Sequence, residues 1–325
     1  MRRWALGVMM LGTGLSTAAP SQAVIVMGPQ GRNLTAPAPG WLYQGDYRGF
    51  LGTPVSPNHF ITAGHIGGGP GDTFVYPNAS GVPTNYTVVA TFDDPNTDLR
   101  IHQVSATFDS WAPRWDVGVD GAETGKSMLV FGRGRGRGAE VWGPSSIAAP
   151  PRGRRTAELK GWEWGVNDQQ RSWGTNTVLG VANGGSQLGQ LLVFDFSKNG
   201  GINEAGVSGG DSGGAVFIQG AGGVWKLAGI NYGTNAQFRR NPSGEEFLAT
   251  LFDIGGFYQP SGNDWILTPE SNADHPAVGY STRIASTAAS GWINGVINSP
   301  PQVVPEPAAL SIILGALPLL MRRRR

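Results

Sequence analysis

The sequence predicts an all-β protein, and three observations carry that expectation. It has 51 glycines and 23 prolines among 325 residues, about twice their usual combined share. Val, Ile, Thr and Trp recur in short runs bounded by those turn formers, which is the pattern of strands joined by tight connections. Long stretches with a helical period are scarce, and no internal repeat of fixed length is present. The length suffices for one large or two medium domains with real cores.

The two ends read as processing segments. Arg2-Arg3, an apolar stretch from Trp4 to Leu15 and the small-x-small site Ser21-Gln22-Ala23 form a secretory signal over 1–23, with cleavage expected after Ala23. At the other end Val304-Pro305-Glu306-Pro307 leads into an apolar run over 308–321 and the block Arg322 to Arg325. That run is short for a membrane span and Pro318 interrupts it. The order of the three parts resembles the PEP-CTERM sorting signal. The resemblance implies a tail over 299–325 and transient membrane contact through it. It also implies processing by an exosortase as well as a signal peptidase, and export to the medium or cell surface of a Gram-negative-type bacterium.

The formal net charge of +1 belongs to these ends. Without their six arginines the segment 24–307 keeps 18 basic against 23 acidic residues, a net of −5. This argues against a nucleic-acid partner. The absence of cysteine excludes disulfides, a thiol nucleophile and a thiolate metal site. No cofactor is expected.

From the start of the mature segment, Val24-Ile25-Val26-Met27-Gly28 reads as a short strand. Arg48 to Ser56 and His59 to Ala63 read as two strands around a turn, delivering His65 just after the second. Tyr86 to Phe92 alternates as a strand and runs into Asp93-Asp94-Pro95-Asn96-Thr97-Asp98-Leu99. Asp94, Asn96 and Asp98 have the alternation of a calcium loop, but Leu99 stands where glycine is needed. Trp111 to Gly121 links two halves, and Ser127 to Gly132 opens the second. The repeat Arg133-Gly-Arg135-Gly-Arg137-Gly reads as a solvated loop. With Arg152, Arg154 and Arg155 it leaves an acidic surface polymer as a partner class. Asp195, Ser197 and Asn199 in the turn after Leu191 to Phe196 suit a plain turn or a cation.

The stretch Val207-Ser208-Gly209-Gly210-Asp211-Ser212-Gly213-Gly214 carries the chemistry. Glycine permits strained backbone and close approach. A hydroxyl on such a turn, with free N–H groups beside it, is what acyl transfer needs: a nucleophile next to an oxyanion hole. The Asp-Ser pair between glycines resembles the active-serine motif of the trypsin/chymotrypsin-like serine proteases. Thr62-Ala63-Gly64-His65 resembles their histidine motif, with Gly64 replacing an alanine. Asp98 before Leu-x-Ile resembles the motif that supplies their triad acid, with Asp93 and Asp94 as alternatives.

That resemblance covers about 24–298 and implies two packed antiparallel six-stranded β-barrels with a short C-terminal helix. The first barrel would span 24–118 with His65 and Asp98. The second would span 119–298 with Ser212 and an insertion at 234–274, a surface excursion near the specificity pocket. The resemblance also implies roles. Ser212 is the nucleophile, His65 the base and Asp98 its orienter, in the chain order His, Asp, Ser. The N–H groups of Gly210 and Ser212 form the oxyanion hole. Asp211 pairs with a new N-terminus at Val24, or is held by local hydrogen bonds. Asn231, Tyr232 and Gly233 pair with substrate backbone, and Gly206, Val207 and Gly233 leave a neutral, open pocket for an apolar or small side chain. The expected activity is that of an exported serine endopeptidase acting on protein or peptide. The alternatives are a catalytically inactive surface binding protein on the protease fold and an esterase on the same scaffold.

Overall fold

The computed structural model of the protein describes residues 24–34, 39–143 and 158–299. The expected signal segment, the sorting tail from residue 300 onward, and Arg152, Arg154 and Arg155 lie outside the described residues. Among the described residues no helix is long and apolar enough to cross a membrane.

Strand β1 (Ile25–Val26) comes first, followed by six strands that close a barrel: β2 (Gly45–Tyr47), β3 (Phe50–Ser56), β4 (His59–Ala63), β5 (Thr73–Pro77), β6 (Pro83–Asp93) and β7 (Leu99–Val104), in the order β2-β3-β4-β7-β6-β5. All its pairings are antiparallel. Aromatic rings fill the interior, with Phe60 stacked on Phe74 at 4.0 Å between centroids. Gly45 makes room for them: a Cβ there would sit 2.1 Å from the Phe74 ring.

A short helix α1 (Val117–Asp120) precedes the second half, whose strands are β8 (Ser127–Gly132), β9 (Arg135–Trp142), β10 (Leu159–Asn167), β11 (Ser172–Thr177), β12 (Gly180–Asn183), β13 (Gln190–Asp195), β14 (Ala205–Gly206), β15 (Ala215–Gln219), β16 (Trp225–Thr234), β17 (Gln237–Arg239), β18 (Glu246–Leu251), β19 (Tyr258–Ser261), β20 (Asp264–Leu267) and β21 (Val278–Arg283), before helix α2 (Thr287–Ile297). A seven-stranded sheet runs β11-β8-β15-β16-β21-β13-β12, and β1 pairs with β14. The expected all-β class with a short C-terminal helix is what the chain forms. Beyond the closed barrel, the second half consists of this sheet and a six-stranded one, β20-β19-β17-β18-β10-β9.

The six-stranded sheet accounts for the expected insertion. Strands β17 to β20 lie within 234–274 and join the β9–β10 hairpin through the β18–β10 pairing. Phe238, Ala249, Leu251, Ile254 and Phe257 form a separate buried cluster there with Val141 and Ala277. The segment is thus a packed layer with its own core, because its apolar residues have a partner surface in β9 that lies about a hundred residues earlier in the chain.

The main core runs through both halves: Leu51, Phe60 and Ile101 of the barrel share a cluster with Phe131, Phe217 and Ile230 of the seven-stranded sheet and Ile293 of α2. Ser286 caps α2, its hydroxyl accepting from the Ala289 N–H at 3.2 Å. This continuous burial presses the two halves together at the face where the chemical residues collect.

Candidate active site

Barrel register brings the first two residues together. Ala63 at the end of β4 pairs with Leu99 at the start of β7, so the residues just outside those ends, His65 and Asp98, face one another. The Gly64 N–H donates to the Asp98 carbonyl at 2.8 Å. Asp98 Oδ1 accepts the His65 N–H at 2.9 Å, and Asp98 Oδ2 lies 2.6 Å from His65 Nδ1. The carboxylate therefore fixes both the backbone and the ring of the histidine.

Ser212 arrives from the second half, on the turn between β14 and β15. His65 Nε2 lies 2.8 Å from Ser212 Oγ. Gly213 sets this distance: its φ is +76, and a Cβ there would lie 2.4 Å from both the Leu51 carbonyl oxygen and Thr62 Oγ1 of the barrel. Only a residue without Cβ lets the turn approach that closely in this backbone conformation. The other candidate acids are occupied. Asp93 pairs with Arg100, while Asp94 accepts from the Asn96 N–H and the Thr97 hydroxyl, as an Asx turn does. Asp94, Asn96 and Asp98 thus do not gather around a common cation, and among the described residues no cluster of His, Asp and Glu could hold a metal ion.

Gly210 has φ +100. Among the described residues neither the Gly210 nor the Ser212 N–H has a hydrogen-bond partner, so both are free to donate to a ligand.

Beneath the turn, Asp211 is buried. Its Oδ1 accepts from the Gly134 N–H at 2.8 Å and faces the Val24 N–H at 3.4 Å; its Oδ2 accepts from the Ser208 N–H at 2.7 Å. Removal from water pushes the carboxyl up to about 6, against the opposing pull of those hydrogen bonds. Local hydrogen bonds thus hold Asp211, and the Val24 nitrogen beside it is an amide. Gly132 and Gly134 make the space: Cβ atoms there would lie 2.1 Å from Asp211 Oδ1 and 2.6 Å from the Asp211 nitrogen.

The Arg-Gly repeat is therefore built into the structure. Arg133 pairs with Asp46, and Arg135 donates to the Gly165 carbonyl. Arg137 donates to the carbonyls of Val26, Met27 and Gly28 at 3.1, 3.4 and 2.9 Å, with its guanidinium 4.0 Å from the Trp162 ring centroid. It holds the segment that presents Val24. The partners of these residues lie far away in sequence, so only the glycine alternation hinted at close packing.

The remaining expected residues divide. Tyr232 packs edge-on against His65 at 5.8 Å between centroids. With Gly233, Thr234, Asn235 and Tyr280, these two rings line a cleft of about 470 Å³. Asn231 lies under the Ser212 turn instead: its side-chain amide donates to the carbonyls of Phe131 and Asp211, and its backbone carbonyl accepts the Gly213 N–H. Gly206 and Val207 do not wall an open pocket. Both are buried, Thr250 Cγ2 stands 2.3 Å from where a Gly206 Cβ would be, and the Thr250 hydroxyl donates to the Val207 carbonyl at 3.2 Å while accepting from Trp164 Nε1 at 3.0 Å. Thr250 and Trp164 come from β18 and β10, the layer whose packing the sequence did not reveal.

No protein-family model matches the chain, and no curated protein matches it. Among solved structures it is similar to neuropsin, a serine protease expressed in the limbic system of mouse brain, with a TM-score of 0.43 and 12% identity over 81% of this chain and 97% of that one.

Proposed function

We propose that the chain is an exported serine endopeptidase. The observation that carries this reading is the continuous relay from Asp98 Oδ2 through His65 to Ser212 Oγ, at 2.6 and 2.8 Å. A structural histidine needs one hydrogen-bond partner; here both ring nitrogens are engaged, one by an acid and one by a hydroxyl that stands beside two undonated N–H groups.

The chemistry follows from those positions. As Ser212 Oγ attacks the scissile carbonyl, its proton passes to His65 Nε2, and Asp98 steadies the imidazolium. The carbonyl oxygen becomes an oxyanion that the N–H groups of Gly210 and Ser212 receive. Collapse breaks the C–N bond, and His65 returns the proton to the departing amine. Water then attacks the acyl-enzyme, with His65 as base, releasing the acid and restoring the Ser212 hydroxyl. No metal or cofactor enters these steps.

Export and C-terminal sorting form part of the reading, supported by the two terminal sequence patterns. Cleavage after Ala23 would convert the Val24 N–H facing Asp211 into an ammonium, completing the site without a propeptide.

The test is labelling with a fluorophosphonate and mapping of the modified residue. Label on Ser212 that disappears in Ser212→Ala and His65→Ala is expected. A folded protein with its N-terminus at Val24 that takes no label would remove the catalytic reading in favour of a binding protein. Comparison of matched amide and ester substrates separates a peptidase from an esterase.

A further inference from the structure

Beyond the cleft at His65, a second cavity of about 430 Å³ opens at the far end of β16, between Trp164 of β10 and Leu248, Gln259 and Pro260 of the six-stranded sheet. The two spaces share Thr234 and Asn235 as walls. On its other flank Trp164 separates the cavity from the Ser212 turn, against which it packs: a Cβ on Gly209 would lie 2.8 Å from its ring. The cavity adjoins the cleft at His65 along the shared walls, and residues within 234–274 form most of its lining.

An extended chain bound at Ser212 reaches this cavity by geometry alone. Pairing of β16 with β15 ends at Ile230 opposite Ala215, whereas its pairing with β21 continues to Thr234 opposite Gly279. From Tyr232 to Thr234 one edge of β16 is therefore open to an added strand. The Asn231 carbonyl accepts the Gly213 N–H at 3.1 Å, which places this edge beside the nucleophile. A peptide laid antiparallel along it advances about 3.3 Å per residue. Its third residue on the acyl side then stands opposite Gly233, where a Cβ would meet nothing within 4 Å, and its fourth stands at Thr234.

The lining fixes the chemistry of what enters. It contains no charged residue. The neighbouring charges are committed elsewhere, Glu246 to Arg239 and to the Gln237 amide. The Gln259 amide donates to the Asn235 carbonyl at 3.3 Å, and Asn235 Oδ1 accepts the Val278 N–H. Trp164, Leu248 and Pro260 supply apolar surface between these tied amides, and Leu248 is 45% exposed with nothing yet covering it.

We propose that this cavity is a second specificity site, which receives an uncharged aromatic or aliphatic side chain from the third or fourth residue on the acyl side of the scissile bond. The proposal rests on the catalytic reading of Ser212. It makes the six-stranded sheet a substrate-selecting layer that acts in addition to the residue at the scissile bond.

Cut-site mapping by mass spectrometry on a proteome-derived peptide library tests it, with fluorophosphonate labelling of the same preparations in parallel. The wild-type protein should favour Phe, Tyr, Leu and Met over charged residues at the third or fourth acyl-side position by about tenfold, within the range for hydrophobic pockets. Leu248→Glu should raise the share of Lys and Arg there by about tenfold relative to wild type, and Leu248→Lys should raise Asp and Glu instead. Pro260→Glu, at another exposed position of the lining, should repeat the Leu248→Glu change. A wild type that labels and cuts without selection at those positions would overturn the site and leave the catalytic reading standing. So would variants whose profiles match wild type. A wild type that neither labels nor cuts removes both.

Discussion

The Val24 nitrogen lies 3.4 Å from Asp211 Oδ1, inside the protein and directly beneath Ser212. In the uncut chain this nitrogen is an amide, and Val24 has φ +42, a left-handed conformation that costs a β-branched residue on the order of 1–3 kcal/mol. A chain beginning at Val24 has no preceding carbonyl, so the strain disappears, and its ammonium meets a buried carboxylate. The sign of the pH dependence follows. With only an amide opposite, Asp211 is raised from 3.8 to about 6, so its ionisation destabilises the folded chain progressively as pH rises from about 4 to 6, by about 3 kcal/mol in all. The ammonium offsets that cost. Melting curves of the chain starting at Val24 and of one with a single extra residue before it should diverge as pH rises from about 4 to 6 and stay apart above that. The extended form should be the less stable, and its fluorophosphonate labelling should be nearly abolished. Equal labelling by both forms would show that the ion pair is not needed.

On the proposed reading Asp98 is the acid of the relay. Asp98→Asn keeps the size of the side chain but offers His65 Nδ1 an amide in place of a carboxylate, favouring the wrong tautomer. Turnover should fall by roughly 10⁴-fold with little change in KM, as such substitutions do in the Ser-His-Asp arrangement. Asp93→Asn, which loses only an ion pair to Arg100, serves as the comparison and should retain turnover. If Asp93→Asn were the more damaging change, the assignment of the triad acid would be wrong.

Gly213→Ala addresses how Ser212 is held. The new methyl would overlap Leu51 O and Thr62 Oγ1 at 2.4 Å, in a backbone conformation already unsuited to a Cβ. Because one of these contacts is backbone, the turn must move away from the barrel and take Ser212 Oγ out of reach of His65. We expect a loss of stability of at least about 2 kcal/mol and a fall in labelling rate beyond what the unfolded fraction explains. Chemical denaturation alongside labelling kinetics separates the two. A stable variant that labels at the normal rate would mean that Gly213 does not set the distance.

What the sequence made legible was local. Ser212 among glycines, His65 after a run of five buried residues, and Asp98 just before Leu99 all sit beside strand ends that hydrophobic runs define; the barrel register brings His65 to Asp98, and the core shared by the two halves brings Ser212 to them. The Arg-Gly repeat misled because its partners are distant: Gly134 serves Asp211, 77 positions on, and Arg137 serves carbonyls 109 to 111 positions earlier. Segment 234–274 read as a surface excursion for the same reason, since Asn, Gly and Pro in its turns outweighed the buried set Phe238, Ala249, Leu251, Ile254 and Phe257. Sequence near Gly206 and Val207 suggested open space because neither residue is large. The side chains that fill it, Thr250 and Phe196, come from elsewhere in the chain.

That filling yields the last prediction. On the catalytic reading proposed above, the side chain at the scissile bond would enter between residues 206–209 and the strand at Asn231. Here the floor carries the Thr250 methyl group, fixed by hydrogen bonds from Trp164 Nε1 and to the Val207 carbonyl. Little depth remains, so the protein should cut after Gly, Ala or Ser far more readily than after Phe or Lys. Thr250→Ala removes both the Cγ2 methyl that forms the floor and the hydroxyl that holds Trp164, and Thr250→Gly removes the remaining Cβ as well. Turnover after larger residues should rise from wild type through Thr250→Ala to Thr250→Gly, while turnover after Ala changes little. The gain should be on the order of 10-fold per added methylene, the low end of the scale for a hydrophobic pocket. Measured kcat/KM on a peptide series that differs only at that residue decides it. A wild type that prefers a large residue there would show that the bound chain avoids Thr250 altogether.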